Sequence, residues 1–349
     1  MNNLVCFFCL LVVIFSSCSE GKTYENAEVI KLSDFGKEIK LSGKSVDLDS
    51  ILMLPFQMEL KDSLLIIYNV RSEYAFQIFN INTKKYIGES VLVGNGPQEM
   101  INPSFILSND SNIWLFDKEK SNVYQYSIST FLEKNKAKVL PIRNFKLDNR
   151  AEKLSVIGHS IFSFRFLDNL KDNRFIFFDL NGKKISSKGK FPLELDGVSY
   201  EGMNYGFISE YTTNFRDRIF MSYRLTDLIE IYDINGKLLK RIFGPDYTMP
   251  KVEEVNRENL SFGKESEGAR DEYFYPVNAG KEVFVTYSGE LSSKNVSFKK
   301  HIFVFDWNGK PIRRYVLDIP IYGTTVDYKN RIIYGFNDEP EYHLVQFKY

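Results

Sequence analysis

Beyond residue 18 this chain has no cysteine. Cys6, Cys9 and Cys18 fall in the first 18 of its 349 residues, and the remaining 331 hold none. That excludes a disulfide framework, a thiolate metal site and a cysteine nucleophile from the folded body. Histidine is nearly as scarce. His159, His301 and His343 stand far apart, without metal-ligand spacing, and read as structural strand residues. Net charge is missing too: 45 Lys and Arg balance 45 Asp and Glu, so electrostatics give no case for nucleic acid. No G-x-S-x-G, H-E-x-x-H or P-loop string occurs. What the chain has in quantity is aromatic residues, 30 Phe and 21 Tyr, which favour strands and fill the wide gaps between packed sheets.

The N-terminus reads as an address. Residues 4–15 form one apolar run of 12, too short to span a bilayer and suited to a signal-peptide core. Phe15-Ser16-Ser17-Cys18 follows and resembles a lipobox, in which the cysteine is lipidated and becomes the mature N-terminus. Residues 1–17 are then a lipoprotein signal peptide, residues 18–26 a lipidated polar tether, and Cys18 the membrane anchor. Each buried acyl CH₂ contributes about 0.8 kcal/mol, so several chains hold a protein durably. The plainer alternative is an ordinary secretory signal with an incidental cysteine.

The rest of the chain repeats one unit six times: apolar strand, polar stretch, then a second strand ending on an aromatic residue. The copies span 64–80, 113–128, 161–183, 219–237, 283–310 and 332–349. Their closing aromatics (79, 126, 178, 232, 305, 347) are 47, 52, 54, 73 and 42 residues apart. Four-stranded propeller blades need roughly 40–50 residues each, so one step carries an insertion. Three copies end in aromatic-Asp and turn at Asn-Gly: Asn181-Gly182, Asn235-Gly236 and Asn308-Gly309. Asn-Gly at that place predicts type I′ hairpin turns. The sixth copy stops after its third strand, while 27–43 offers strand-like residues before the first. The expected fold is all-β: a six-bladed β-propeller of four-stranded antiparallel blades over 27–349, closed by an N-terminal strand joining the last blade.

With those repeats goes Val93-Gly94-Asn95-Gly96-Pro97-Gln98-Glu99-Met100 with Pro103, similar to a G-x-G-P-x-E-aromatic-x-x-P loop. On both features the chain resembles the six-bladed propeller lipoproteins described as TolB-like or NHL-type, common in Bacteroidetes. Met100 and Gln98 depart from the pattern. The resemblance implies a propeller of the Gram-negative cell envelope, on the outer membrane, and fixes no activity, since one fold hosts many functions.

Long segments at 95–103, 190–206, 244–272 and 288–300 share one face of such a ring, opposite the Asn-Gly turns, and binding is expected there. Polar residues at strand exits are expected to face the central opening: Asn69, Asp117, Arg165, Arg224 and Asn337, with Arg71 and Lys118 just beyond. The arginines and Lys118 would suit an anionic group; the bland alternative is a solvated channel whose charges knit neighbouring blades. The leading reading is a non-catalytic binding or scaffolding module for a glycan, peptide or envelope protein, with no cofactor. The alternative is a hydrolase or lactonase with a metal or acid/base site in the channel mouth; lactonase-type propellers hold a metal through Glu, Asn and Asp, and Glu99, Asn69 and Asp117 are residues of those types. The acidic group Glu194, Asp196 and Glu201 reads as a solvated loop rather than a glycosidase pair.

Overall fold

The computed structural model describes residues 23–133, 139–164, 174–257, 260–294 and 298–349. The leader, Cys18 and Arg165 lie outside the described residues. Six antiparallel blades follow one another around a ring. The first comprises Pro55–Lys61, Leu64–Asn69, Tyr74–Asn80 and Lys85–Leu92; the second Pro103–Phe105, Ile113–Asp117, Asn122–Tyr126 and Arg143–Lys146. Lys153–Ile157, Ser160–Phe164, Phe175–Asp179 and Lys184–Lys188 make the third, and Ser209–Thr213, Ile219–Tyr223, Leu228–Tyr232 and Leu238–Phe243 the fourth. The fifth has Arg270–Ala279, Glu282–Leu291 and Lys299–Asp306, completed by the long strand Pro311–Asp327. That strand then shifts register and becomes the first strand of blade six, before Ile332–Asn337 and His343–Lys348.

Closure falls where the missing strand predicts it. Gly43–Val46 pairs antiparallel with the last strand, Val46 opposite Leu344 and Gly43 opposite Phe347. The residues before it do more than the sequence suggests. Ala27–Val29 adds a parallel fifth strand to blade four, and Ile39–Leu41 lies parallel to the outer strand of blade five. Between them Phe35 is buried against Phe303 and Phe305. The N-terminal segment is thus a belt across blades four and five that ends as the closing strand of blade six.

The second and third strands of each blade are apolar on both faces because each blade is sandwiched between two others. Accordingly, Ile113–Asp117, Ile219–Tyr223 and Leu228–Tyr232 are buried at every position. Aromatic rings fill the wedges between blades: Phe220 of blade four meets Phe305 of blade five at 5.6 Å, and Phe76 of blade one meets Phe105 of blade two at 5.2 Å. Offset and edge-on ring pairs of this kind add about 0.5–1.5 kcal/mol beyond burial.

The Asn-Gly turns differ from the expected type. Gly182, Gly236 and Gly309 have φ of 86°, 77° and 75°, while the preceding asparagines keep negative φ. Gly182 N–H donates to Asp179 O, and Asp179 N–H to Lys183 O. This is a type I turn closed by a glycine bulge, not type I′. The reason is the aspartate. Asp179 Oδ1 accepts from the N–H groups of Asn181 and Lys183, and Asp233 and Asp306 do the same at their turns. Two backbone donors satisfied by one carboxylate favour the right-handed first half of the turn.

Candidate functional site

The strand-exit residues do not converge on the central opening. Asn69 is buried and donates to Gln77 Oε1 at 3.0 Å. Asn337, also buried, donates to Pro320 O and accepts from Glu339 N–H. Asp117 is fully buried and caps its own surroundings, accepting from the N–H groups of Ile101, Asn102, Glu119 and Lys120. Arg71 is exposed, in left-handed backbone at φ 61°, and Lys118 pairs with Glu152 at 3.6 Å. Arg224 is claimed by two carboxylates, Asp271 at 2.8 Å and Glu265 at 3.2 Å. For Asp117 and Asn337 the physical reason is the backbone, while side chains engage Asn69, Lys118 and Arg224. A strand exit leaves backbone groups unpaired, and the nearest polar side chain satisfies those first.

The Gly-Pro loop is a latch. Glu99 Oε2 accepts from Gly96 N–H at 2.8 Å. Lys120 Nζ donates to the carbonyls of Gly94, Gly96 and Glu99 at 3.3, 3.0 and 2.7 Å. A Cβ on Gly94 or Gly96 would run into the Glu99 carboxylate, so a larger residue at either place would push that carboxylate from the latch. Met100 is fully buried between blades one and two, where the pattern has an aromatic. Glu99 and Asp117 are spent on backbone N–H groups, whereas the buried Asn69 Oδ1 has no hydrogen-bond partner. Among the described residues no three Asp, Glu, His or Cys side chains converge as a metal site requires.

The long connections fold onto the ring. The 190–206 segment ends in a short helix, Tyr200–Gly206, and the 244–272 segment contains a hairpin, Val252–Arg257 with Leu260–Glu265. Helix and hairpin touch where Gly263 meets Gly202, leaving no room for a Cβ on Gly263. Tyr205 OH donates to Glu265 Oε2 at 2.5 Å, tying the helix to the carboxylate that holds Arg224. At the seam of blades four and five two buried carboxyls meet. Burial pushes Asp227 up to about 6. Burial, then the nearby Asp227 charge, pushes Glu272 up to about 9.

The large cavity lies on the other face. About 1770 Å³ of space enters the ring among the first-to-second-strand turns of blades one, two, four, five and six, the same side as the Asn-Gly turns. Its walls carry eight Lys and Arg side chains against five Asp and Glu. Inside, Glu59 pairs with Lys61 at 3.2 Å, and burial raises its pKa despite that partner. Lys61 in turn donates to Ser108 and to the Asp110 carbonyl of blade two. Tyr275 sits in the wall at φ 44° on a strand irregularity, with its hydroxyl pushed up to about 12 by burial, then by Glu210. At the mouth Trp307 Nε1 donates to Gly280 O at 2.9 Å, which fixes the indole. The Tyr328 ring lies against Gly280 from another side and is half exposed. The sequence held one signal for this place. The residue after the turn aspartate is Leu180 in blade three, Ile234 in blade four and Trp307 in blade five.

This ring of six four-stranded blades, wedged by aromatic residues and open through its turn face, defines a six-bladed β-propeller. A model of the TolB-like six-blade propeller family matches residues 34–329, and the chain belongs to that family. Its fold is similar to a DUF4221 family member from Bacteroides vulgatus, with 15% identity, TM-score 0.55, and 89% of this chain and 96% of that one covered. A Bacteroides fragilis protein described as exported is similar at 12% identity, TM-score 0.55, covering 93% and 98%. No curated protein matches the chain.

Proposed function

We propose that this protein is an envelope propeller, lipid-anchored through Cys18, that binds a glycan non-catalytically at the turn-face cavity. The observation that carries the reading is the cavity mouth, where the Trp307 and Tyr328 rings flank Gly280 beside walls richer in cations than anions. Rigid aromatic rings with a polar surround suit the flat apolar faces of sugar rings. The cation excess favours chains bearing uronic or other acidic groups. Blade closure holds both rings in place, so little ordering cost is added on binding. Envelope placement is supported by the leader sequence and by the likeness to a protein described as exported. No helix among the described residues is long and apolar enough to cross a membrane.

Trp307 supplies the test, because the other tryptophan, Trp114, is buried on blade two. Titrating residues 23–349 with neutral and uronate-bearing oligosaccharides should change tryptophan emission, more strongly for the acidic set. Tyr328→Ala should weaken the response at least tenfold. Saturable binding of peptides alone, or an oligosaccharide response unchanged in Tyr328→Ala, would remove the glycan reading from this cavity.

A further inference from the structure

The chain joins the ring at one defined point. Thr23 is the first described residue, and Tyr24 behind it is buried. The Tyr24 ring packs edge-on against Phe243 at 5.1 Å and Phe207 at 6.4 Å, and its hydroxyl shares a hydrogen bond with Thr226 Oγ1 at 2.8 Å. The chain then turns and pairs with the outer strand of blade four, ending opposite Phe243, from which the long-loop face begins.

Around this point the rim carries large apolar side chains turned outward. Val29 is 51% exposed, Leu32 40% and Tyr247 42%, whereas Ile30 and Phe35 between and beside them are buried. Tyr247 is tied to the stretch that carries Val29 and Leu32: Ile30 N–H donates to Phe243 O, and Tyr247 OH donates to Ile30 O at 3.1 Å. A tyrosine with its hydroxyl engaged and its ring exposed is a side chain suited to a lipid headgroup layer.

Tether length decides what can cover that surface. Cys18 lies five residues before Thr23. At about 3.5 Å per residue it reaches no further than about 18 Å from Thr23. A body of this length has a radius of gyration of about 20 Å, and so is about 50 Å across. An anchor of that reach holds the blade-four rim near the bilayer and keeps the far side of the ring away from it.

We propose that the rim formed by Val29, Leu32 and Tyr247 rests in the headgroup layer of the membrane that holds the anchor, with the turn-face cavity directed into the aqueous space. The proposal rests on lipidation of Cys18 and is independent of what the cavity binds. The occupant is a lipid surface, because the anchor fixes one within reach of these side chains.

The lack of cysteine after residue 18 makes the test clean. Val29→Cys, Leu32→Cys and Tyr328→Cys are each labelled with an environment-sensitive fluorophore on the full lipidated protein, reconstituted into phospholipid vesicles. Labels at 29 and 32 should shift to the blue, be quenched by nitroxide lipids and be shielded from iodide. The label at 328 should behave as in water. Flotation is measured in the same samples and for Cys18→Ala. If the protein floats but labels at 29 and 32 are as open to iodide as that at 328, the seating is overturned and the anchor stands. If Cys18→Ala floats as well as the parent, the anchor reading falls, and the seating with it.

Discussion

Glu272 is a carboxyl group that the fold keeps protonated. It is fully buried at the seam of blades four and five, faces Asp227 and Tyr287, and has Arg270 Nε at 3.5 Å without a hydrogen bond. Its folded pKa of about 9 lies far above the ordinary 4.5. Between those values the folded chain holds a proton that the unfolded chain has released. Stability therefore falls as pH rises through that window, by up to about 1.4 kcal/mol per unit, and levels off above it. Asp227, raised to about 6, adds the same sign at the acid end. Glu272→Gln should flatten the curve: melting temperature from pH 6 to 9 should drop in the parent and drop much less in the variant. Parallel curves would show that the proton is not held there. A second buried charge is compensated differently. Arg174 lies among the rings of Phe164, Phe191 and Tyr223 at 5.0–5.3 Å, donates to Tyr223 OH at 2.7 Å and stands 3.8 Å from buried Glu230. Arg174→Ala should cost about 3–5 kcal/mol in urea unfolding, since it strips one partner from a desolvated cluster.

At the scale of strands and turns, the blades were legible because their signals are local. Alternating apolar runs, a closing aromatic and the Asp-x-Asn-Gly turn all lie within one hairpin. The turn type was misread because Asn-Gly alone favours type I′, and the two N–H groups taken by Asp179 Oδ1 tip the balance. The site was far less legible. Asp117 and Asn69 look alike whether they face a channel or cap their own loop, and their backbone partners appear only in the fold. Arg224 reads as a free cation until Glu265 and Asp271, 41 and 47 residues on, arrive beside it. The belt makes an element-scale prediction. Removing residues 23–38 strips the parallel strand from blade four and the Phe35 plug but leaves Gly43–Val46 to close blade six. Removing 23–46 leaves the edge of His343–Lys348 unpaired. The first truncation should elute as the parent does, with a lower melting temperature, and the second should shift to larger species or aggregate. Equal behaviour in size-exclusion chromatography would contradict the assignment of the closing strand.

For the whole molecule, the two faces divide the work. Long connections fold back on the ring and tie blades four and five through Arg224, Glu265 and Tyr205, while the short turns surround the open channel. Length of loop is the visible feature in sequence, and it points to the face on which the connections fold back. The open face is made by what its turns leave uncovered, which no single segment records.

The belt also sets how the protein carries load. The described segment nearest Cys18 and the segment that locks the ring are the same 24 residues, Thr23 to Val46. A pull on the N-terminal end would meet the Tyr24 clamp first, then the parallel strand Ala27–Val29, then the Phe35 plug and Ile39–Leu41, and only afterwards the lock at Gly43–Val46. The arrangement works as strain relief on a cable: tension is shed in sequence along the outside of blades four and five, and the joint that keeps the ring circular is the last to feel it.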